Sequence, residues 1–197
     1  MTTTAEQLLA GESFDEETFV GLDLAQADLS DKVFAGCTFR NVKLPESHWR
    51  RARLEDCLLE GCDLTRLAPL EMALRGVQFK RCKMMGVDWT GVGQYPDLSF
   101  ADCNLDYCSF TSIRIRKVPF VRCSLVEANF LDADLSEARF DSCRLTGARF
   151  QRCDLRKASF AGAQDLLIDP ATNQVRGASI PLESALLLAA SFGFKVQ

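Results

Sequence analysis

The sequence repeats every five residues over most of its length. From Ala128 to Phe160 it reads ANFLDADLSEARFDSCRLTGARFQRCDLRKASF, with a large apolar residue at the centre of every unit and Ala or Cys two positions before it. A period of five fits neither the 3.6-residue repeat of a helix nor the two-residue repeat of a strand. Because one such unit is too short to bury a core alone, it must stack on copies of itself, as in a solenoid.

The repeat continues upstream with one change of phase. The change lies between Trp89 and Phe100, in the segment TGVGQYPDLS, whose glycines and proline predict a loop. The earlier series begins at Phe14, and only Pro69 interrupts it. A bulge or short loop is therefore expected around Pro69. Trp49 and Trp89 fall on the same side of the repeat as this proline and are expected to pack beside it.

The charged residues indicate how many units complete one turn. In the first series, residues twenty positions apart form about nine pairs of opposite charge and none of like charge, whereas separations of fifteen and twenty-five show no such preference. Residues one turn apart in a parallel stack lie about 4.8 Å from each other, where opposite charges attract. Four units per turn predict a square-sided parallel β-helix of roughly seven turns and on the order of 34 Å.

The small–x–large pattern from about Ser13 to Ala163 resembles that of the pentapeptide-repeat family. The resemblance implies an all-β chain folded as a right-handed quadrilateral parallel β-helix. The expected organisation is an N-terminal cap over residues 1–12, the β-helix over 13–163 with an interruption near 91–99, and a C-terminal cap and dimerisation segment over 164–197.

Both ends carry the signals of caps. Thr4 and Gln7 predict a capping box that opens a short helix ended by Gly11. Near the other end, Pro181 suits the first turn of a second helix, which is apolar on nearly every face and stops at Gly193. A helix that is apolar all round must be covered. We therefore expect a homodimer joined through the residues Leu182, Leu186, Leu187, Phe192 and Phe194.

Two segments narrow the resemblance to one branch of the family. The sequence CKMMGVDW at residues 82–89 and the ending at 168–196 are similar to those of the Qnr-type and microcin-immunity proteins. That branch implies a dimeric rod that imitates duplex DNA, protects DNA gyrase, and has no cofactor and no catalytic residues. The present chain departs from the pattern in having no large protruding loops.

Charge is distributed unevenly along the chain. Residues 1–31 contain eight carboxylates and no Lys or Arg, whereas Ser99–Gly162 contains ten basic and eight acidic residues. The acidic end would attract a basic partner surface, with Asp15, Glu16, Asp23 and Asp28 as the predicted contacts. The alternative is that these charges only keep an exposed solenoid end solvated.

The cysteines and the absence of catalytic motifs argue against an enzyme. All nine cysteines occupy the small inward position, no Cys-x-x-Cys occurs, and His48 is the only histidine, so we expect buried thiols and no metal site. No glycine-rich phosphate loop or nucleophile–histidine motif appears, so we expect no cofactor. The lack of a long apolar run or a signal peptide predicts a cytoplasmic protein with no membrane contact.

Two functions remain open. The first is a factor that binds DNA gyrase or another topoisomerase as a DNA-mimicking rod and relieves a quinolone or a toxin. The second is a structural or interaction scaffold whose partner is unrelated to DNA. The acidic pI and the scattered basic residues predict no direct binding of nucleic acid.

Overall fold

The computed structural model describes residues 3–195, which contain two short helices and thirteen strands of three or four residues. Helix α1 is Ala5–Ala10 and helix α2 is Leu182–Ser191. The strands are β1 Ser13–Asp15, β2 Thr18–Val20, β3 Val33–Ala35, β4 Thr38–Arg40, β5 Arg53–Glu55, β6 Leu58–Glu60, β7 Ala73–Arg75, β8 Val77–Lys80, β9 Leu98–Ala101, β10 Pro119–Val121, β11 Asn129–Leu131, β12 Arg139–Asp141 and β13 Arg149–Gln151.

All strand pairs are parallel and join residues one turn apart. Seven strands form one side, in the order β12-β10-β9-β8-β6-β4-β2, and four form another, in the order β1-β3-β5-β7. Phe14 pairs with Phe34, and Phe19 with Phe39, so the register is twenty residues. The remaining two sides are joined by the pair of strands β11 and β13 and by isolated parallel bridges, such as the one between Asp23 and Lys43. The structure thus confirms a parallel β-solenoid of about seven turns, with four five-residue units in each turn.

The predicted change of phase is confirmed between Trp89 and Phe100. Phe79 pairs with Phe100, a separation of twenty-one residues, and the spacing returns to twenty when Phe100 pairs with Phe120. One extra residue is therefore accommodated in the turn before β9. The stack continues across this insertion because its strands pair on both sides of it.

The loop or bulge expected at Pro69 is absent from the structure. Pro69 is buried at the inward position, in step with its neighbours, and Trp49 and Trp89 are buried on the same side. The effect of the proline is on hydrogen bonding instead. The bridges on this side stop at Ala68 and resume at Asp88. Proline has no N–H to donate to the next turn. A shallow groove therefore lies between these two turns.

The interior is a continuous column of apolar side chains. In the second half, phenylalanines one turn apart stack face to face: Phe140 lies 4.9 Å from Phe120 and 4.8 Å from Phe160. Phenylalanines on the opposite side stack in the same way, with Phe130 and Phe150 4.8 Å apart. The ring spacing equals the spacing of the strands, so backbone pairing and core packing enforce the same repeat.

The nine cysteines are buried free thiols, which confirms their inward assignment. Five of them form a column on one side of the core: Cys62, Cys82, Cys103, Cys123 and Cys143. Burial raises the pKa of the Cys108 thiol to about 12, because an apolar interior disfavours the thiolate.

The ends of the stack are closed differently. Thr4 and Gln7 form the predicted capping box, and Gly11 ends α1. At the other end, backbone bridges extend beyond the five-residue pattern as far as Ser179. The Asn173 side chain accepts a hydrogen bond from the backbone N–H of Cys153 and donates one to the carbonyl of Phe150. It thereby replaces the backbone partner of an incomplete turn. Val196, which the sequence places in the apolar tail, lies outside the described residues.

The core register predicts a large difference between two substitutions that are close in sequence. Phe140→Ala should cost on the order of 3–5 kcal/mol of unfolding free energy, because it leaves a cavity between two stacked rings. Glu137→Gln should cost less than about 1 kcal/mol, because its ion pairs with Arg116 and Lys117 are exposed. Urea melts of both variants measure this difference, and similar losses would contradict the register.

Burial predicts that the cysteines of the native protein react slowly. A bulky thiol reagent at neutral pH should label few of the nine before denaturation and nearly all of them afterwards, because only the thiolate of an accessible cysteine reacts. Mass spectrometry of intact protein counts the labels. Rapid labelling of most cysteines in the folded protein would mean that the inward assignment is wrong.

Candidate protein-interaction surfaces

The first turn of the solenoid and helix α1 form an exposed acidic surface. Seven carboxylates are exposed there, and the carboxylate of Glu17 is half-buried and accepts a hydrogen bond from Thr3. The exposed ones, which we call the acidic end, are Glu6, Glu12, Asp15, Glu16, Asp23, Asp28 and Asp31. All four predicted contact residues, Asp15, Glu16, Asp23 and Asp28, belong to this set. The acidity accumulates here because the first turn has a neighbour on one side only.

Only part of the acidic end is neutralised by cations of the next turn. Asp23 lies 3.5 Å from the Nζ of Lys43, and Asp31 accepts two hydrogen bonds from Arg51. Within residues 3–195, no ion pair reaches Asp15 or Glu16. In the same range Glu6, Glu12 and Asp28 also have no ion pair, so five of the seven carboxylates are available to a cationic partner.

A buried lysine supports this surface from inside, and the sequence analysis did not identify it. Lys32 is only 8% exposed, and its Nζ donates to the carbonyls of Leu9 and Gly11 at the end of α1. A cation at the C-terminus of a helix satisfies carbonyls that have no partner within the helix. The signal was a lysine at the small inward position of the repeat. Its charge is used in attaching the cap rather than displayed on the surface.

Local hydrogen bonds keep two of these carboxylates ionised. The side chain and backbone of Ser30 donate to Asp28 and lower its pKa, and Arg51 lowers the pKa of Asp31. In both cases the partner stabilises the charged form. Since each folded-state pKa lies below its usual value, the charge persists at neutral pH and is lost only as the pH falls through the lowered value.

Charges along the rest of the rod are mostly compensated between turns. Arg122 binds Asp102 and Arg152 binds Asp132, each through two hydrogen bonds from one turn to the next. The like-charged neighbours Asp134 and Asp154 are each approached by an arginine, Arg116 and Arg156 respectively. The middle of the rod is therefore close to neutral, and it does not continue the acidic end.

The opposite end of the stack presents an apolar surface. Helix α2 packs on the last turn around a cavity of about 120 Å³ lined by apolar residues that include Leu166, Ile168, Val175 and Leu188. The predicted dimerisation residues lie outside this contact and are exposed: Leu182, Leu186, Leu187, Phe192 and Phe194. Clustered large apolar side chains in water are typical of an interaction surface. The structure thus separates the two predicted surfaces by the full length of the stack.

Residues 3–195 contain no cluster of three or more His, Cys, Asp or Glu side chains arranged to hold a metal ion. None of the helices found there is long and apolar enough to cross a membrane.

Comparison with known proteins supports the repeat family. Residues 95–164 match the family model described as a pentapeptide repeat region. The quinolone resistance pentapeptide repeat protein QnrB96 of Scandinavium goeteborgense is 24% identical over 131 residues. That alignment covers 59% of this chain and 61% of the relative, so the chain spans less than two thirds of the relative's length.

Solved structures of QnrB1, a plasmid-mediated fluoroquinolone resistance protein, share the fold. A trypsin-treated variant matches with a TM-score of 0.58 at 23% identity, covering 94% of this chain and 90% of that chain. Full-length QnrB1 matches with a TM-score of 0.51 at 23% identity, covering 98% and 95%. The five-residue period and the parallel solenoid agree with the match of residues 95–164 to a pentapeptide repeat region.

Proposed function

We propose that this protein is a non-enzymatic factor that binds DNA gyrase, or another type II topoisomerase, as a DNA-mimicking rod and protects it from a quinolone or a toxin. The quinolone-resistance relatives support this choice of partner. The observation that carries the proposal is the exposed acidic end, whose charge a DNA-binding enzyme surface would attract.

The density of charge at the acidic end is comparable to that of DNA. Duplex DNA carries one negative charge per roughly 1.7 Å, or about three over the 4.8 Å rise of one turn. The first turn, residues 12–31, contains seven carboxylates. Ion pairs with the second turn compensate Asp23 and Asp31. The remainder still exceeds the DNA value, so the mimicry we propose is confined to this turn.

We further propose that two copies join through their C-terminal caps. Docking α2 against its counterpart would cover the exposed leucines and phenylalanines that a single chain leaves in water. Two rods joined in this way would measure roughly 70 Å. Each far end would then carry one acidic end, which places the carboxylates where the enzyme would be contacted.

A general interaction scaffold is the second candidate function. The near-neutral middle of the rod favours it, because a DNA mimic that used its whole length would be acidic throughout. In that case the acidic end would bind a basic partner other than a topoisomerase. Binding of the purified protein to gyrase at low salt separates the two candidates.

Neutralising the acidic end should reduce any effect on gyrase. The quadruple variant D15N/E16Q/D23N/D28N should bind purified gyrase more weakly and protect supercoiling less in the presence of a quinolone. Wild-type binding should also weaken between low and moderate salt, because exposed charges are screened over about 8–10 Å. The thermal melt should change little, although Asp23 also pairs with Lys43.

A matched control removes four carboxylates from the second half: Asp102→Asn, Glu127→Gln, Asp132→Asn and Asp141→Asn. This variant has the same net charge as the first, and it should retain the effect on gyrase. Equal loss in both variants would show that only net charge matters. If the wild-type protein does not bind gyrase at low salt, the topoisomerase proposal fails and the scaffold takes its place.

Dimerisation predicts a second effect. Leu186→Glu should shift the protein towards monomer in light scattering, because the charge would be buried in the apolar contact between the two caps. Leu9→Glu is the control, since Leu9 is also exposed but lies at the far end of the rod. A wild-type protein that is monomeric at high micromolar concentration would refute the proposed dimer.

A further inference from the structure

One corner of the solenoid carries an ordered pattern of charge, of which the functions above use only the first two residues, Asp15 and Glu16. We call it the first edge: the two corner positions that follow the side of Phe14, Phe34 and Leu54 in each turn, most of them exposed or partly exposed and Ser136 buried. Backbone hydrogen bonds connect these corners from turn to turn, as from Glu16 to Ala35 and from Lys157 to Arg176. In order, the edge is Asp15-Glu16, Ala35-Gly36, Glu55-Asp56, Arg75-Gly76, Pro96-Asp97, Arg116-Lys117, Ser136-Glu137, Arg156-Lys157 and Arg176-Gly177.

The first edge has acidic doublets in its N-terminal half and basic doublets in its C-terminal half. The acidic doublets at 15–16 and 55–56 are two turns apart, and so are the basic doublets at 116–117 and 156–157. Two turns correspond to about 9.6 Å in both halves. The spacing of the negative charges therefore equals the spacing of the positive ones.

This pattern is complementary to itself when one copy is reversed. In an antiparallel pair, doublet 15–16 of one rod meets 156–157 of the other, and doublet 55–56 meets 116–117. Arg75 then meets Asp97, and the neutral corner 35–36 meets Ser136 and Glu137. Wherever charged corners of the two copies face each other, their charges have opposite signs. A two-fold axis between Arg75 and Asp97 generates each contact twice, as a closed symmetric pair requires.

Neighbouring registers lose this complementarity. A shift by one turn in either direction brings like charges together, such as Glu55 and Asp56 against Asp97, or Arg75 against Lys117. A parallel arrangement sets both acidic doublets against basic ones only at a five-turn offset, which leaves the other doublets unmatched and does not close. A three-turn parallel offset also gives four meetings of opposite sign, but it sets Arg116 and Lys117 against Arg176 and does not close. Like charges directly opposite each other destabilise a contact, so the antiparallel register is the favoured one.

The charged groups of the first edge are available for a second copy. The side chains of Asp15, Glu16, Asp56 and Lys157 make no ion pair within residues 3–195. The ion pair between Arg75 and Glu55 is exposed, with side chains 78% and 53% accessible, whereas Arg156 binds Asp154, whose side chain is 15% accessible. Exposed pairs of this kind contribute about 1 kcal/mol or less, so exchanging them for contacts between rods costs little.

We infer that the first edge is a self-association surface on which a second copy of this chain binds antiparallel and side by side. The contact is electrostatic, so it forms at low salt and dissociates as salt rises. It differs from the proposed joining of C-terminal caps and does not depend on it. If the proposed function holds, lateral pairing also competes with the enzyme, because it covers Asp15 and Glu16.

Zero-length carbodiimide cross-linking of the full-length protein tests this inference directly. At low salt, links should form between Lys157 and the peptide containing Asp15 and Glu16, and between Lys117 and the peptide containing Asp56. Within one chain Lys157 and Glu16 are seven turns apart, about 34 Å, so the first link is necessarily intermolecular. The link from Lys117 to Glu137, 3.8 Å apart within the chain, is the internal control. Absence of the intermolecular links while the control link forms would overturn the inference.

Reciprocal charge reversal gives an independent test. D15K/E16K and R156E/K157E should each lose the intermolecular link between Lys117 and the Asp56 peptide, whose reacting groups both variants keep, since like charges now meet at both ends. An equimolar mixture of the two variants should restore association, because each reversed doublet then faces an opposite one. K80E/K83E makes the same change in net charge as R156E/K157E, but elsewhere on the rod, and it should associate like the wild type.

The expected change is at least about tenfold in the association constant between 20 and 300 mM salt, measured by sedimentation velocity. Thermal melts confirm that each variant is folded. A mixture that associates no better than its separate components would reject the antiparallel pairing. Neither test contains gyrase, so its result is independent of the proposed function.

Discussion

Hydrogen bonding between successive turns is the interaction on which the rest of this structure depends. A three-residue strand has no stability alone, and each side of the rod obtains its partners from the turns twenty residues before and after. The stacked phenylalanines repeat at the same spacing, so a side chain that fits one turn fits its neighbours. This shared spacing explains why a five-residue pattern can continue across a one-residue insertion and a proline. Each defect disturbs one side, while the other sides keep the turns in register.

The same stacking organises charge into columns. In the interior of the stack every exposed carboxylate has a position directly above and below it where a cation can be placed, and most turns use it. The first turn has one neighbour only, and its carboxylates are left partly uncompensated. The last turn would expose apolar surface of the core. Helix α2 covers this surface with one face and exposes apolar side chains on its other face. A rod with an acidic end and an apolar end follows from the ends of the stack.

Sequence reasoning recovered the repeat and the N-terminal capping box. The period, the twenty-residue turn and the buried cysteines recur, so many residues report each of them, and the phase change is visible as one shift in that long series. Pro69 was misinterpreted because a pattern search treats proline as a break, whereas its ring fits the inward position and only its missing N–H matters. Lys32 was overlooked because its partners are backbone carbonyls, which no side-chain pattern reveals. The corners also went unpredicted: residues such as Asp31 and Arg51 adopt φ near +60°, a conformation usually associated with glycine.

The central functional claim is that contact with the enzyme is made by the first turn and not by the whole rod. Carbodiimide cross-linking of a complex with purified gyrase, mapped by mass spectrometry, locates the carboxylates that touch enzyme lysines. We expect links from the carboxylates of residues 6–31 and few from Glu55 and Asp56, although these two are also exposed to the reagent. Links confined to the middle of the rod, with no link between the first turn and the enzyme, would contradict this claim.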